Sequence, residues 1–317
     1  MTQARAEREA EPEQLRQVRL LSFNIQGGSA TQRYRHYVTR GLQNVLPHPH
    51  KRRNLKRVAE VVEHFDLVAL NEADGGSLRS GFVNQVEFLA EQAGFPYWSF
   101  QSNRRVGRVA ESANGLLSRF QPSSVWDHRL PGRIKGRGAL EVRYGDEKDG
   151  LRLVIAHLAL SPRARAQQLR YLAELIGQYR CVVLMGDFNC TVESGELDRL
   201  LADTRLRPAP RPPLTFPSWA PRRAIDHILV GDGLKAEGFS TVPLRVSDHL
   251  PVALTLAVPS RCHSGACSFV SSVIWSSGML KMVLNFSVAP ARLTAEIIAL
   301  ARTVSHHSVS MLSGEWS

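Results

Sequence analysis

From residue 18 onward the chain alternates short apolar runs with stretches of helical period and with polar loops. The runs at 18–24, 66–71, 114–118, 139–143, 151–157, 181–186, 225–230 and 252–258 are rich in Val, Ile and Leu and have strand length. They read as the cores of a sheet. Between them Val58, Val61, Val62 and Phe65 recur at helical spacing after Asn54, and Ser161 followed by Pro162 forms a cap and first turn before Leu169, Leu172 and Ile176. Asn84 with Glu87 three residues on reads as a capping box. Strands in the middle and helices over the outer faces predict a layered α/β domain.

The stretch 207–221 holds six prolines and is expected to be an extended surface loop, because a strand pattern resumes at Ile225. One domain is therefore expected over 18–258, with a flexible N-terminus at 1–17 and a C-terminal appendage at 259–317. Within the appendage, 269–289 is largely apolar. Its serines, Asn285 and the central Lys281 make it a poor spanning segment, so no transmembrane span is expected. Residues 292–304 read as helical. The sequence does not fix an oligomeric state.

Composition narrows the class without naming a reaction. Hydrophobic residues make up 43% and charged residues 22% of the 317, which excludes a disordered or fibrous chain. The net charge is +11, and the two flanks hold 7 of 40 basic and 6 of 29 acidic residues, which leaves +10 in 18–258. A basic domain suits a polyanion, a phosphate ester or an anionic surface. Cys181, Cys190, Cys262 and Cys267 show neither metal-site nor paired spacing, and free thiols are expected. The acid- and arginine-rich N-terminus lacks the apolar region of a secretory signal, so a cytoplasmic protein is expected.

The chemistry lies where apolar strands end. Asn24, Glu72, His157, Asp187 and Asn189 each follow an apolar run. Alone, each reads as a loop cap. Together they form a site-building pattern, because rigid strands hold ligands to close tolerance.

With these residues in view, the sequence resembles the endonuclease/exonuclease/phosphatase superfamily. The matching segments, in order, are Ser22-Phe23-Asn24-Ile25, Leu70-Asn71-Glu72, Asn114-Gly115-Leu116-Leu117-Ser118-Arg119, Ala156-His157-Leu158, Gly186-Asp187-Phe188-Asn189, Ile225-Asp226-His227-Ile228 and Ser247-Asp248-His249-Leu250-Pro251. The ordered set is far more specific than any one of them. The resemblance implies a deoxyribonuclease I-like fold, a four-layer α/β sandwich of two mixed β-sheets flanked by helices, with the site at one edge. It implies Mg²⁺ or Mn²⁺, a hard cation taking oxygen ligands, with Glu72 as anchor and Asn24 and Asp248 contributing. By the same resemblance Asp187 accepts the proton of the attacking water and Asn189 orients it. His249, held by Asp226, donates to a phosphate oxygen, His157 contacts phosphate or the leaving group, and Asn114 and Asn24 bind phosphate. His227 is expected to face away from the site.

The implied reaction is hydrolysis of phosphate esters. Nucleic acid is the leading substrate because the domain is basic, with Arg33, Arg35, Arg40, Lys51, Arg52, Arg53, Arg104, Arg105, Arg108, Arg133, Lys135, Arg137, Arg163, Arg165, Arg222 and Arg223 on loops near the expected site. A phospholipid or inositol phosphate is the second reading. A non-catalytic phosphate-binding protein on the same fold is disfavoured, since no matching acid, Asn or His is lost. Two departures bear on substrate. Asn71 stands where many relatives have Gln, and the approach Thr215-Phe216-Pro217-Ser218-Trp219 is not the aromatic-rich loop of abasic-site enzymes.

Overall fold

The computed structural model describes residues 15–29, 47–133, 136–177 and 179–259. Two six-stranded sheets form its centre. The first runs in the order β11 (Lys235–Thr241), β12 (Val252–Pro259), β1 (Leu15–Asn24), β2 (Leu67–Ala73), β4 (Ala110–Ser118), β3 (Tyr97–Val106). The second runs β5 (Ser124–Arg129), β6 (Gly138–Tyr144), β7 (Leu151–His157), β8 (Val182–Asp187), β10 (Asp226–Gly231), β9 (Leu206–Arg207). In each sheet the middle pair is parallel, β1 with β2 and β7 with β8, and the other pairs are antiparallel. Parallel neighbours need a crossover, supplied here by helices α1 (Pro49–Val62) and α3 (Pro162–Ile176).

Strand alternation sorts the apolar residues into three packed layers. Val18 and Leu20 of β1, Leu67 and Ala69 of β2, Leu153 and Ile155 of β7, and Val183 and Met185 of β8 fill the space between the sheets. Leu21, Phe23, Val68 and Leu70 turn the other way, against α1 and α2 (Gln85–Ala93). Val154, Val182 and Leu184 likewise pack beneath α3 and α4 (Gly195–Asp203). Central strands covered on both faces need apolar residues at consecutive positions, which is why they read as unbroken runs. The four layers are helix, sheet, sheet, helix.

Local signals act in part where expected: Ser161 stands at the N-cap of α3, but its side chain makes no capping hydrogen bond. The Asn84 side chain accepts from the backbone N–H groups of Val86 and Glu87 at the start of α2, and Pro162 opens α3. Residues 207–221 are almost wholly irregular apart from a bridge between Phe216 and Arg223. One expectation fails: Cys181 is disulfide-bonded rather than a free thiol, while Cys190 is a buried free thiol. Cysteine spacing alone does not carry connectivity. The apolar 269–289 stretch and the helix expected at 292–304 lie outside the described residues. Among the described residues no helix is long and apolar enough to cross a membrane.

Candidate active site

The inward-facing positions of six strands change from aliphatic to polar at the same end of the sandwich. On β1 the inner row runs Leu20, Ser22, Asn24; on β2, Leu67, Ala69, Asn71; on β8, Val183, Met185, Asp187. β7 ends in His157, β10 begins at Asp226, and β4 places Asn114 inward beside Leu116. Register sets Asn24 opposite Asn71, and Asp187 between His157 and Asp226. These buried polar ends close the inter-sheet core with a hydrogen-bonded floor.

Asn71, which is fully buried, ties the two sheets together. Its Oδ1 accepts from the Asp187 backbone N–H at 2.9 Å, and its Nδ2 donates to Asn114 Oδ1 at 2.8 Å and to the Ala156 carbonyl at 3.3 Å. Asn114 spends its own amide hydrogens on Gln101 Oε1 and the Gly138 carbonyl. In this arrangement Asn114 braces Asn71 rather than offering a donor to a phosphate. Gly186 allows the close approach: its φ is 142°, and a Cβ there would collide with the Ala156 carbonyl oxygen.

Glu72 reaches the mouth through an irregularity. Pairing of β2 with β4 shifts between Leu70 and Ala73, and Glu72 takes a φ of 56°. A bulge re-aims a side chain that strict alternation would turn toward the helices. Asn189 also has φ 56° and Gln26 has φ 47°, so backbone outliers gather at this end, where strain is commonly stored for function.

Around Asp187 the partners converge. Asn24 Nδ2 donates to Asp187 Oδ2 at 3.0 Å, and the Asn189 backbone N–H donates to Oδ1 at 2.9 Å. The Nε2 atoms of His157 and His249 lie 3.6 and 3.8 Å from Oδ2. Burial, with the Asp226 charge behind it, pushes the Asp187 carboxyl up to about 7, although His249 opposes the shift. Burial alone would lower His249, yet the carboxylates of Asp226 and Asp187 hold it well above the usual histidine value. His249 Nδ1 donates to Asp226 Oδ2 at 2.8 Å, and the Thr215 hydroxyl donates to the same oxygen.

His157 is the opposite case. Burial, then the charges of Arg137 and His249, hold it well below its ordinary value. Arg137 Nη1 lies 2.9 Å from His157 Nδ1. A guanidinium only donates, so Nδ1 accepts and Nε2 carries the hydrogen of a neutral ring. That N–H faces Glu72 Oε1 at 3.7 Å as well as Asp187. His227 faces away, bonding the Cys190 carbonyl at 2.8 Å and packing on Phe188.

Two sets of acids could face a cation. Asp187, Asp226 and His249 offer ligand atoms within 4.8 Å of one another, but Asp226 Oδ2 is already engaged and His249 favours its charged form. Glu72 and Asp248 differ. Crowding by protein atoms and the Asp248 charge raise the Glu72 carboxyl, which still exposes 36% of its side chain at the mouth. A carboxyl raised by burial and by a neighbouring acidic charge is relieved by a hard divalent cation.

Sequence reasoning named Asn24, Glu72, His157, Asp187, Asn189, Asp226, Asp248 and His249, and all stand at this end of the sandwich. It missed Asn71 and Thr215 as bracing groups, and it named Arg137 among the basic loop residues near the site without giving it a partner. Of the basic loops, Arg104 packs against Gly136 beside Arg137, whereas Arg165 is buried against Glu196. Arg33, Arg35, Arg40 and Lys135 lie outside the described residues.

Paired sheets closed by an acid, amide and imidazole floor define a phosphoric ester hydrolase. The Endonuclease/Exonuclease/phosphatase family profile matches residues 21–249, and the chain belongs to that family. No curated protein sequence matches it significantly. Among solved structures, an endonuclease/exonuclease/phosphatase from Beutenbergia cavernae aligns with TM-score 0.59 at 20% identity, covering 77% of this chain and 72% of that one. The human Nocturnin catalytic domain with bound sulfate aligns at 0.56 and 15%, covering 78% and 97%. A Bacteroides thetaiotaomicron mannosyl-6-phosphatase aligns at 0.55 and 15%, covering 76% and 100%. At these identities the likeness shows the fold.

Proposed function

We propose that the chain hydrolyses phosphate diesters by direct attack of water, with a divalent cation, Mg²⁺ or Mn²⁺, at the mouth. The observation that carries this reading is the convergence on Asp187 Oδ2 of Asn24, His157 and His249. A carboxyl poised at about 7 accepts a water proton at neutral pH, which is the property a general base needs. Asn24 and the Asn189 backbone N–H fix the orientation of that carboxyl. His249, kept protonated by Asp226, donates to a phosphate oxygen, and neutral His157 offers a second N–H. Glu72, Asp248 and the Asn24 carbonyl oxygen would hold the cation. When bound, it neutralises charge on the phosphate oxygens.

The net charge of +11 supports nucleic acid as substrate. One observation favours the second substrate class, phosphorylated lipid or inositol: the loops around the mouth expose aliphatic side chains such as Val106 and Leu160. A cytoplasmic location belongs to the same reading.

The test is hydrolysis of bis(4-nitrophenyl) phosphate, nucleic acids, sphingomyelin and inositol phosphates with Mg²⁺, Mn²⁺ or chelator. Cation-dependent turnover that is lost in Glu72→Ala is expected. Turnover that survives chelator or that substitution would refute the site.

A further inference from the structure

Among the described residues, six of the twelve exposed large hydrophobic side chains stand on the loops that ring the mouth. Phe82 and Val83 follow β2, and Val106 and Val109 sit at the β3–β4 turn. Leu160 lies three residues past His157, and Leu214 precedes Thr215, which caps Asp226. The first four belong to one surface. Leu78 and Arg79 donate backbone N–H groups to the carbonyls of Arg108 and Val109 at 2.9 and 3.0 Å, and the Arg108 guanidinium lies 5.9 Å from the Phe82 ring. Phe82 has a φ of 63°, a costly conformation for a bulky residue.

Charge on the loops at this end of the sheets is one-sided. Arg108, Arg133, Arg211, Arg222, Arg223 and Arg245 are exposed on them, and among the described residues of these mouth-end loops Glu193 is the exposed acid set against them. Five of the six apolar side chains are aliphatic and have no ring face on which a base could stack, whereas single-stranded nucleic acid is held by aromatic platforms in a basic groove. Aliphatic side chains interleaved with arginine match an anionic bilayer, whose headgroups attract the cations and whose acyl boundary buries the apolar groups.

We propose that this collar docks the mouth of the site onto an anionic lipid bilayer, so that the substrate class is the phosphodiester of a phospholipid headgroup. The inference takes its hydrolytic centre from the reading above, but the docking surface stands independently of it. The decisive experiment sediments the full chain with vesicles of phosphatidylcholine alone or mixed with phosphatidylserine. Duplex-DNA binding and hydrolysis of soluble bis(4-nitrophenyl) phosphate are measured beside it.

Wild-type protein is expected to sediment with the anionic vesicles and to release with salt. The triple substitution Phe82→Ser, Val106→Ser, Leu160→Ser is expected to weaken that binding about tenfold or more, with turnover of the soluble diester unchanged. Phe82→Leu, which keeps the apolar surface, should bind as wild type does. Three results would overturn the proposal: no sedimentation of wild type, equal sedimentation of the triple variant, or loss of DNA binding without loss of vesicle binding. A wild-type protein that sediments but leaves the soluble diester intact would sink the hydrolytic reading and spare the docking surface.

Discussion

Asp187 and His249 both bind protons more tightly in the folded chain than in the unfolded one, and this gives the cation-free protein a definite pH response. The stability that Asp187 contributes is complete below its unfolded value of 3.8 and is lost as pH rises through about 7. That of His249 is complete below 6.5 and is lost as pH passes its raised value. The Tm of chelator-treated protein is expected to fall from about pH 6 to about pH 9, and His249→Gln should flatten that slope. Calorimetry that shows Tm rising across this window would contradict the assignment of both groups. Asp187→Asn keeps the shape of the side chain and removes the base. Its turnover of a soluble diester should drop by about 10² to 10⁴ while the cation concentration for half-maximal protection stays put, and undiminished turnover would remove Asp187 from that role.

Between elements, the key contact is the one Asn71 makes from β2 to β7, β8 and β4. Asn71→Leu strands the Asp187 backbone N–H and Asn114 Oδ1 in a buried place. Unmade buried hydrogen bonds cost about 1–3 kcal/mol, so urea unfolding should show a loss of that order, and an unaltered midpoint would mean the bridge carries no stability. This bridge was invisible in the sequence because 116 residues separate Asn71 from Asp187. The strands that were legible, from β1 to β12, are those covered on both faces. β3, β5 and β11 were not, since each is an edge strand carrying exposed Arg, Ser or Lys that blunts further pairing. The same rule governs the site. Glu72, Asp187 and His249 interrupt apolar runs and could be seen, whereas Thr215 sits in a polar loop where nothing marks it out, and the contact of Arg137 with His157 could not be told from the other basic loop residues until the partner strand arrives.

At the scale of the molecule, Glu72 and Asp248 arrive from distant stretches and meet only when the sandwich is closed, so the cation should bind the folded chain alone. Mg²⁺ is then expected to stabilise the fold with the logarithm of its concentration, by about 2.7 kcal/mol at one hundred times its dissociation constant, and so to raise Tm. Glu72→Gln should abolish the effect, and an equal rise in that variant would relocate the cation. The same closure has a consequence for the order of synthesis. β1, the first of the described strands to be made, has β12, the last of them, as its antiparallel neighbour, with Leu15 facing Pro259 at the end away from the mouth. A nascent chain halted before Val252 exposes one long apolar edge of β1 and leaves sheet one without its closing strands. The enzyme is therefore silent on the ribosome until almost the whole described chain has emerged, and its first strand is the segment most in need of a chaperone during that wait.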